Sequence, residues 1–496
     1  MSEELNRKEK GSKNLFYKIT FFSCFFIVFL SWTRIAETKI GLFNIIPFFY
    51  ETAREKIAYD GLSTFAFAFF IKSLLESSAI RVFFFSRKDW FKKRKYLMIF
   101  LLTAFSSLLA TNLSWFDEFI YFYPIINPLF SEIGFDKFSS VLCLYGGSLV
   151  GLSSIISSER MQSYFNSSLG EICKRKGIDG TSGLLFRIST FFLFFTFVSL
   201  FNVWYSHKNR TLKRIESKEE KEEIFLNKSQ KLTIFVSIFF IIISIISQFS
   251  VLGNYIEKRG WNENVHEQFS NVITEESNEK LGTMGLAMKI SKVNEVKRSQ
   301  WNVFGKWESF SIDCWLIIGG IIICLISKQD VINVLRIAIQ SSIPLMIIYI
   351  FSLTPIALMK KSGISNKIVN IILPSSIMSR FAQIFSLVFI FFLCALFSFF
   401  ISSTSISIIF ISTFAKFFSS ISKDTLIHVS LFAWMGSMIG SGYSPNNGIL
   451  METLEKNNIS YKELLKKVWK LLIFLFLLGI FWIIVWTKIV IHKNYE

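Results

Sequence analysis

The chain has 496 residues, is 52% hydrophobic, carries 58 phenylalanines and has a mean hydropathy of +0.46. A soluble protein of that length would alternate apolar and polar faces over two or three cores. Here apolar runs of about 18 residues or more recur instead, long enough to cross a hydrocarbon layer, so the chain is a polytopic helical membrane protein. The net charge of +18 does not point to nucleic acid. The lysines and arginines sit in connecting segments beside apolar runs, as positive-inside bias requires, and no basic patch has a soluble fold of its own. A basic face toward anionic lipid is a minor addition. Six cysteines with no CxxC spacing and four scattered histidines suggest neither metal nor cofactor.

The tail 1–14 holds Arg7, Lys8, Lys10 and Lys13, which predicts a cytoplasmic N-terminus. A first span, Leu15 to Trp32, has no small-x-small cleavage site after it and is read as retained. ETKIGLFNIIPFFYETAREKI suits an amphipathic helix at the outer interface. A second span, Gly61 to Ile80, leads to the basic RVFFFSRKDWFKKRK. From Tyr96 to Ile133 the chain is apolar except at Thr111–Glu118. Charge parity with the basic segments on either side requires this stretch to be a hairpin. Spans at Phe138–Ile156 and Leu184–Tyr205 complete a first transmembrane repeat, 15–205, followed by a basic cytoplasmic linker, 206–230.

A linking helix, 231–253, precedes a polar extracytoplasmic insertion, 254–310. The second repeat, 311–496, shows the same order of elements. It has a span Cys314–Ser327, an amphipathic SKQDVINVLRIAIQSS, and a span Ile343–Met359. An apolar region from Phe381 is broken at ISSTSISI, and two last spans, Leu426–Ile439 and Leu471–Val490, are separated by GSGYSPNNG and the basic helix KNNISYKELLKKVWK. The expected architecture is all-α, with about 10–12 transmembrane helices in two inverted repeats, each with a re-entrant hairpin and a broken helix.

Two stretches carry chemistry. Asp117 and Glu118 stand with Thr111, Asn112 and Ser114 between apolar segments, and a carboxylate at membrane depth tends to face a cavity or a partner. Neighbours on a helix point about 100° apart, so at most one of the two acids faces a given cavity. Ser444, Pro445, Asn446 and Asn447, followed by Gly448, should break a helix, because Pro lacks an amide donor and Gly tolerates positive φ. The freed groups could bind an ion or polar solute, or the asparagines could simply cap a turn.

TNLSWFDEFIYFYPIINPLFSEIGFDKFSSVLCLYGGSLVG resembles the first-half signature of the YfcC and DcuC-type carriers of the ion transporter superfamily. The matching residues are Asp117, Glu118, Phe122-Tyr123-Pro124-Ile125, Pro128, Gly134, Asp136, Gly146 and Gly151. SGYSPNNGILMETLEKNNISYKELLKKV is similar to the second-half signature, and IGLFNIIPFF to a shorter motif. The likeness covers most of the chain outside 254–310. The family's first broken span carries an Asn-Pro where this chain has Ser153 and Ser154 followed by Ile155 to Glu159. Its second hairpin is Gly- and Pro-rich where this chain has Ser402, Ser403, Thr404 and Ser405.

The resemblance implies a secondary active transporter, symporter or antiporter, of a small charged metabolite, and no enzyme. An acidic pair fits a basic amino acid such as arginine or ornithine by charge complementarity. The alternatives are a dicarboxylate carrier, or a degenerate paralogue that binds a partner and no longer transports. The expected partners are a small-molecule substrate and the lipid bilayer, with no nucleic acid. A homodimer is entertained as the assembly, Na+ or H+ as coupling ion, and the bacterial cytoplasmic (inner) membrane as location.

Overall fold

The computed structural model describes residues 11–33, 36–59, 61–113, 115–210, 226–248, 304, 307, 309–364, 380–401, 406–408, 410–412 and 422–493. All regular structure among them is helical. This follows from the composition: in hydrocarbon each backbone amide must be satisfied within its own segment or a closed barrel. In chain order the helices are α1 (Gly11–Ser31), α2 (Ile45–Tyr59), α3 (Gly61–Glu76), α4 (Ala79–Ser86), α5 (Lys88–Lys93), α6 (Lys95–Leu113) and α7 (Tyr123–Ile133). Next come α8 (Lys137–Val141), α9 (Gly147–Ser153), α10 (Ser158–Leu169), α11 (Glu171–Arg175), α12 (Leu184–Lys208) and α13 (Lys228–Ile246). The last are α14 (Ser309–Ser327), α15 (Val331–Lys361), α16 (Arg380–Ile401), α17 (Lys423–Gly442), α18 (Gly448–Lys456) and α19 (Tyr461–Lys493).

Among the described residues, 7 helices are long and apolar enough to cross a membrane: α1, α6, α12, α13, α14, α15 and α19. Other apolar stretches are divided by breaks. The expected second span bends at Ser77-Ser78, where Ser78 has φ of 56°, and so becomes α3 and α4. Two expected boundaries are absent. The amphipathic segment before Ile343 and the span after it form one helix, α15, despite Pro344 and Pro355. The Ser341 carbonyl, next to the Gln340 carbonyl that Pro344 leaves without its i−4 donor, accepts the Tyr121 hydroxyl at 3.2 Å. Likewise the basic segment from Tyr461 is continuous with the last span in α19. Most of the insertion 254–310 lies outside the described residues, as do 211–225 of the linker.

Hydroxyls along α6 meet the following broken helix in rising order. Ser106 donates to the Cys143 carbonyl (2.8 Å), Ser107 to Gly147 (2.8 Å) and Thr111 to Ser154 (2.6 Å). The two helices therefore run parallel, and the chain between them must return. It does so through α7: Lys88 pairs with Glu132 at 2.5 Å, and the Tyr96 ring lies 6.4 Å from Phe135. Both ends of the α6–α7 hairpin thus lie at one level. Gly147 and Gly151 let the α6–α9 backbones approach. A Cβ on the first would lie 2.9 Å from the Thr103 carbonyl, and on the second 2.7 Å from the Ala110 Cβ.

The α16–α17 pair repeats this packing. Gly436 and Gly440 lie directly against the Phe391 and Ala395 carbonyls, so these helices also run parallel. The pairs are opposed to each other, however. Tyr145 hydrogen-bonds the Gly442 carbonyl, the Trp434 indole donates to Leu152 (2.8 Å), and Tyr164 donates to Ser430 (2.9 Å). Rising numbers on one side meet falling numbers on the other, so α9 and α17 are antiparallel. The starts of α6, α8 and α19 and the end of α12 share one end of the bundle, through Tyr96–His207 (2.6 Å) and Lys467–Asp136 (3.8 Å). Lys88, Lys92, Lys93, Arg94, Lys95, Lys208, Lys462, Lys466 and Lys467 make that end strongly basic.

Candidate functional site

The first break follows α9. Residues 142–146 form a π-turn, and the helix then ends at Ser153. A helix end leaves carbonyls without intrahelical partners, and buried ones must be satisfied by neighbours. Three helices supply them. Thr111 from α6 takes the Ser154 carbonyl and also accepts from the Ile156 amide (3.1 Å). Trp434 from α17 takes Leu152, and Arg187 from α12 takes Ile155 at 2.9 Å. The Ser153 and Ser154 hydroxyls fold back onto the Val150 carbonyl at 2.8 and 2.9 Å. Ser153 also borders a narrow, mostly apolar cavity with Leu149, Val198, Met438 and Tyr443.

The acidic pair lies in a 3-10 turn, Asp117–Tyr121, at the tip of the α6–α7 hairpin. Asp117 is only 8% exposed, and the Tyr349 hydroxyl of α15 donates to it. Glu118 is partly buried, and its carboxylate accepts from the Phe116 amide at 2.8 Å. Arg160, at the start of α10, hydrogen-bonds the Leu113 carbonyl, and its charge acts on Glu118, Asp313 and Asp117, on Glu118 most strongly. Asp313 of α14 is 5% exposed and accepts from the Ser63 hydroxyl of α3 at 2.6 Å. Arg160 thus stands within electrostatic reach of three carboxylates, two on the hairpin tip and one on α14. The tip also touches both broken helices: Phe116 packs on Tyr145 with ring centroids 4.9 Å apart, and Lys456 lies over the Tyr121 ring at 5.4 Å.

At the second break the side chains are committed to the fold. The Ser444 hydroxyl accepts from the Asn446 amide at 3.0 Å. Asn446 donates to the Phe400 carbonyl (2.5 Å) and the Ser23 hydroxyl (3.3 Å), and accepts from Thr20 at 3.4 Å. Asn447 caps α18 by accepting from the Leu450 amide (3.1 Å) and donates to the Ser441 carbonyl (3.0 Å). Pro445 starts no helix here and sits between the two segments. Asn447 thus caps α18, and Asn446 ties α1 to the end of α16.

The structure therefore brings the expected residues together only in part. Thr111, Ser153 and Ser154 form one junction, and Asp117 and Glu118 lie beside it through Arg160. Asn112 turns away, donating to Leu108 of its own helix at 2.9 Å. The two breaks lie close to each other: Gly442 packs on Leu149, four residues before Ser153, and Ser153 and Tyr443 border one cavity. Ser114, Ser403, Thr404 and Ser405 lie outside the described residues. Sequence reading missed Arg160, Asp313, Tyr349 and Arg187. For Asp313 the signal was present, a single acid in an apolar span; Arg160 sits in a polar stretch that looks like an ordinary connection.

A helical bundle with seven apolar spanning helices among the described residues, broken helices and one basic end is a multi-pass membrane protein. The profile of the DcuC family, the C4-dicarboxylate anaerobic carriers, matches residues 77–488, and the chain belongs to this family. Comparison with curated proteins gives no match. Among solved structures, the chain is similar to the Alcanivorax borkumensis YdaH transporter, with 12% identity and a TM-score of 0.48 over 96% of this chain and 98% of that one. It is also similar to Neisseria gonorrhoeae MtrF, described as illuminating a class of antimetabolite efflux pumps, with 14% identity and a TM-score of 0.45 over 90% and 84%.

Proposed function

We propose that this transporter is a secondary active carrier of four-carbon dicarboxylates, coupled to Na+ or H+ and working by alternating access. The observation that carries the reading is Arg160 among Asp117, Glu118 and Asp313. A guanidinium matches a carboxylate by its planar fork, and the surrounding acids give a coupling cation a counter-charge. Family membership supports the same substrate class. The antiparallel relation of two internally parallel, glycine-packed pairs, α6–α9 and α16–α17, supports an inverted-repeat plan with the α6–α7 hairpin re-entrant. The basic end would face the cytoplasm of a bacterial inner membrane, with the N-terminus on that side.

A second reading keeps the same site and reverses the cargo. Three carboxylates to one guanidinium leave a net negative site, which favours a basic amino acid such as arginine or ornithine. Purified protein in proteoliposomes separates the two. Labelled succinate taken up under an imposed Na+ or H+ gradient, without arginine uptake, is the expected result. Uptake of arginine or ornithine alone would replace the first reading with the second. No uptake of any of them would favour a degenerate, partner-binding paralogue.

A further inference from the structure

Arg187 heads the fully buried large side chains, at 1% exposure, and no part of the charge cluster uses it. A buried charge is costly unless its bonds justify it. Its two terminal nitrogens donate to two carbonyls far apart in sequence, Ile155 at 2.9 Å and Gly180 at 2.5 Å, while Nε is buried without a partner. The acid acting on its charge, Asp179, is itself held by the Thr181 and Ser182 hydroxyls at 2.7 and 2.9 Å. Arg187 is thus placed for geometry rather than for ion pairing. Ile155 lies just beyond the C-terminal end of α9, where a cation is also favoured by the helix dipole. Gly180 in turn packs onto Ser158, the first residue of α10, so closely that a Cβ there would lie 2.7 Å from the Ser158 carbonyl carbon.

We infer that Arg187 is a positioning residue of the transport site: by holding Ile155 inside the 154–157 break together with Gly180, which packs on Ser158, it sets where α10 begins, and so where Arg160 stands relative to Glu118. This rests on the transport reading above. Arg160 is two residues from Ser158, so a shift at the break moves the guanidinium by a similar amount. Misplacement of a binding group by about 1 Å can cost as much as 100-fold.

The test compares wild type with Arg187→Gln and Arg187→Lys in hydrogen–deuterium exchange and in proteoliposome uptake. In Arg187→Gln, exchange over 154–160 should rise on the order of tenfold while α16 and α17 stay unchanged, and the KM for the transported solute should rise with little change in maximal rate. Arg187→Lys keeps the charge without the fork and should fall between. If exchange over 154–160 is unchanged in both variants, or rises equally throughout the bundle, the inference is overturned. Should Arg187→Gln not fold, Arg187→Lys decides by the same readouts. If wild type moves no solute, the transport reading fails, and local exchange still decides the positioning role.

Discussion

Thr111 donates its hydroxyl to the Ser154 carbonyl at 2.6 Å and accepts from the Ile156 amide at 3.1 Å, so one side chain of α6 serves both a carbonyl and an amide released by the break after α9. The end of α6 is therefore tied directly to the break after α9. Thr111→Val keeps the shape, leaves the buried Ser154 carbonyl without its hydroxyl donor and leaves the Ile156 amide only its 3.3 Å bond to the Thr111 carbonyl, at a cost of about 1–3 kcal/mol. Thermal unfolding in detergent should show a lowered Tm together with reduced uptake, and Thr111→Ser should restore both. An unchanged Tm in the valine variant would contradict the clamp.

Glu118→Gln should bring uptake to background while the protein stays monodisperse, because the amide keeps the bond from the Phe116 amide but not the charge facing Arg160. Asp117→Asn should be milder, since its partner is the neutral Tyr349 hydroxyl. Wild-type rates in Glu118→Gln would remove the acidic pair from the site.

Asp313 was not singled out from the sequence, and its role depends on α14 lying beside α3. Asp313→Asn should lower uptake strongly, whereas Ser63→Ala should lower it less, because it removes one hydroxyl bond to the carboxylate, worth about 1.5–3 kcal/mol, and leaves the charge in place. Initial rates of labelled succinate uptake measure both. Equal losses would assign the pair to packing alone.

Backbone approach in the two parallel pairs has no room for a larger residue. Gly151→Leu and Gly440→Leu would each drive a side chain into a neighbouring carbonyl, of Ser107 and Ala395 respectively, where overpacking costs about 1–3 kcal/mol or more. Fluorescence-detected size exclusion should show loss of the folded peak in both. Gly146→Ala is the control: nothing lies within 4 Å of a Cβ there, so it should behave as wild type.

Asn446→Ala should separate the second break from α1. It removes bonds to Ser23, Thr20 and Phe400, and the predicted outcome is a lower Tm with an unchanged KM for the transported solute. A raised KM without loss of stability would instead make Asn446 a ligand.

Much of the architecture was legible in the residues. Apolar length and basic connections identify a membrane bundle and the α6–α7 hairpin, because hydrocarbon thickness and charge cost act on each segment separately. Asp117 and Glu118 stood out for the same reason. Segment joins were less legible: the amphipathic stretch before Ile343 and the span after it read as two elements, yet α15 runs through both. The site itself depended on tertiary structure. Whether Asn446 and Asn447 bind solute or cap, and which cation faces Glu118, depend on contacts between residues hundreds of positions apart. No local pattern encodes that Asp313 lies within electrostatic reach of Arg160, or that Arg187 holds Ile155. The helices must first pack, and only then does each released carbonyl and buried charge acquire its partner.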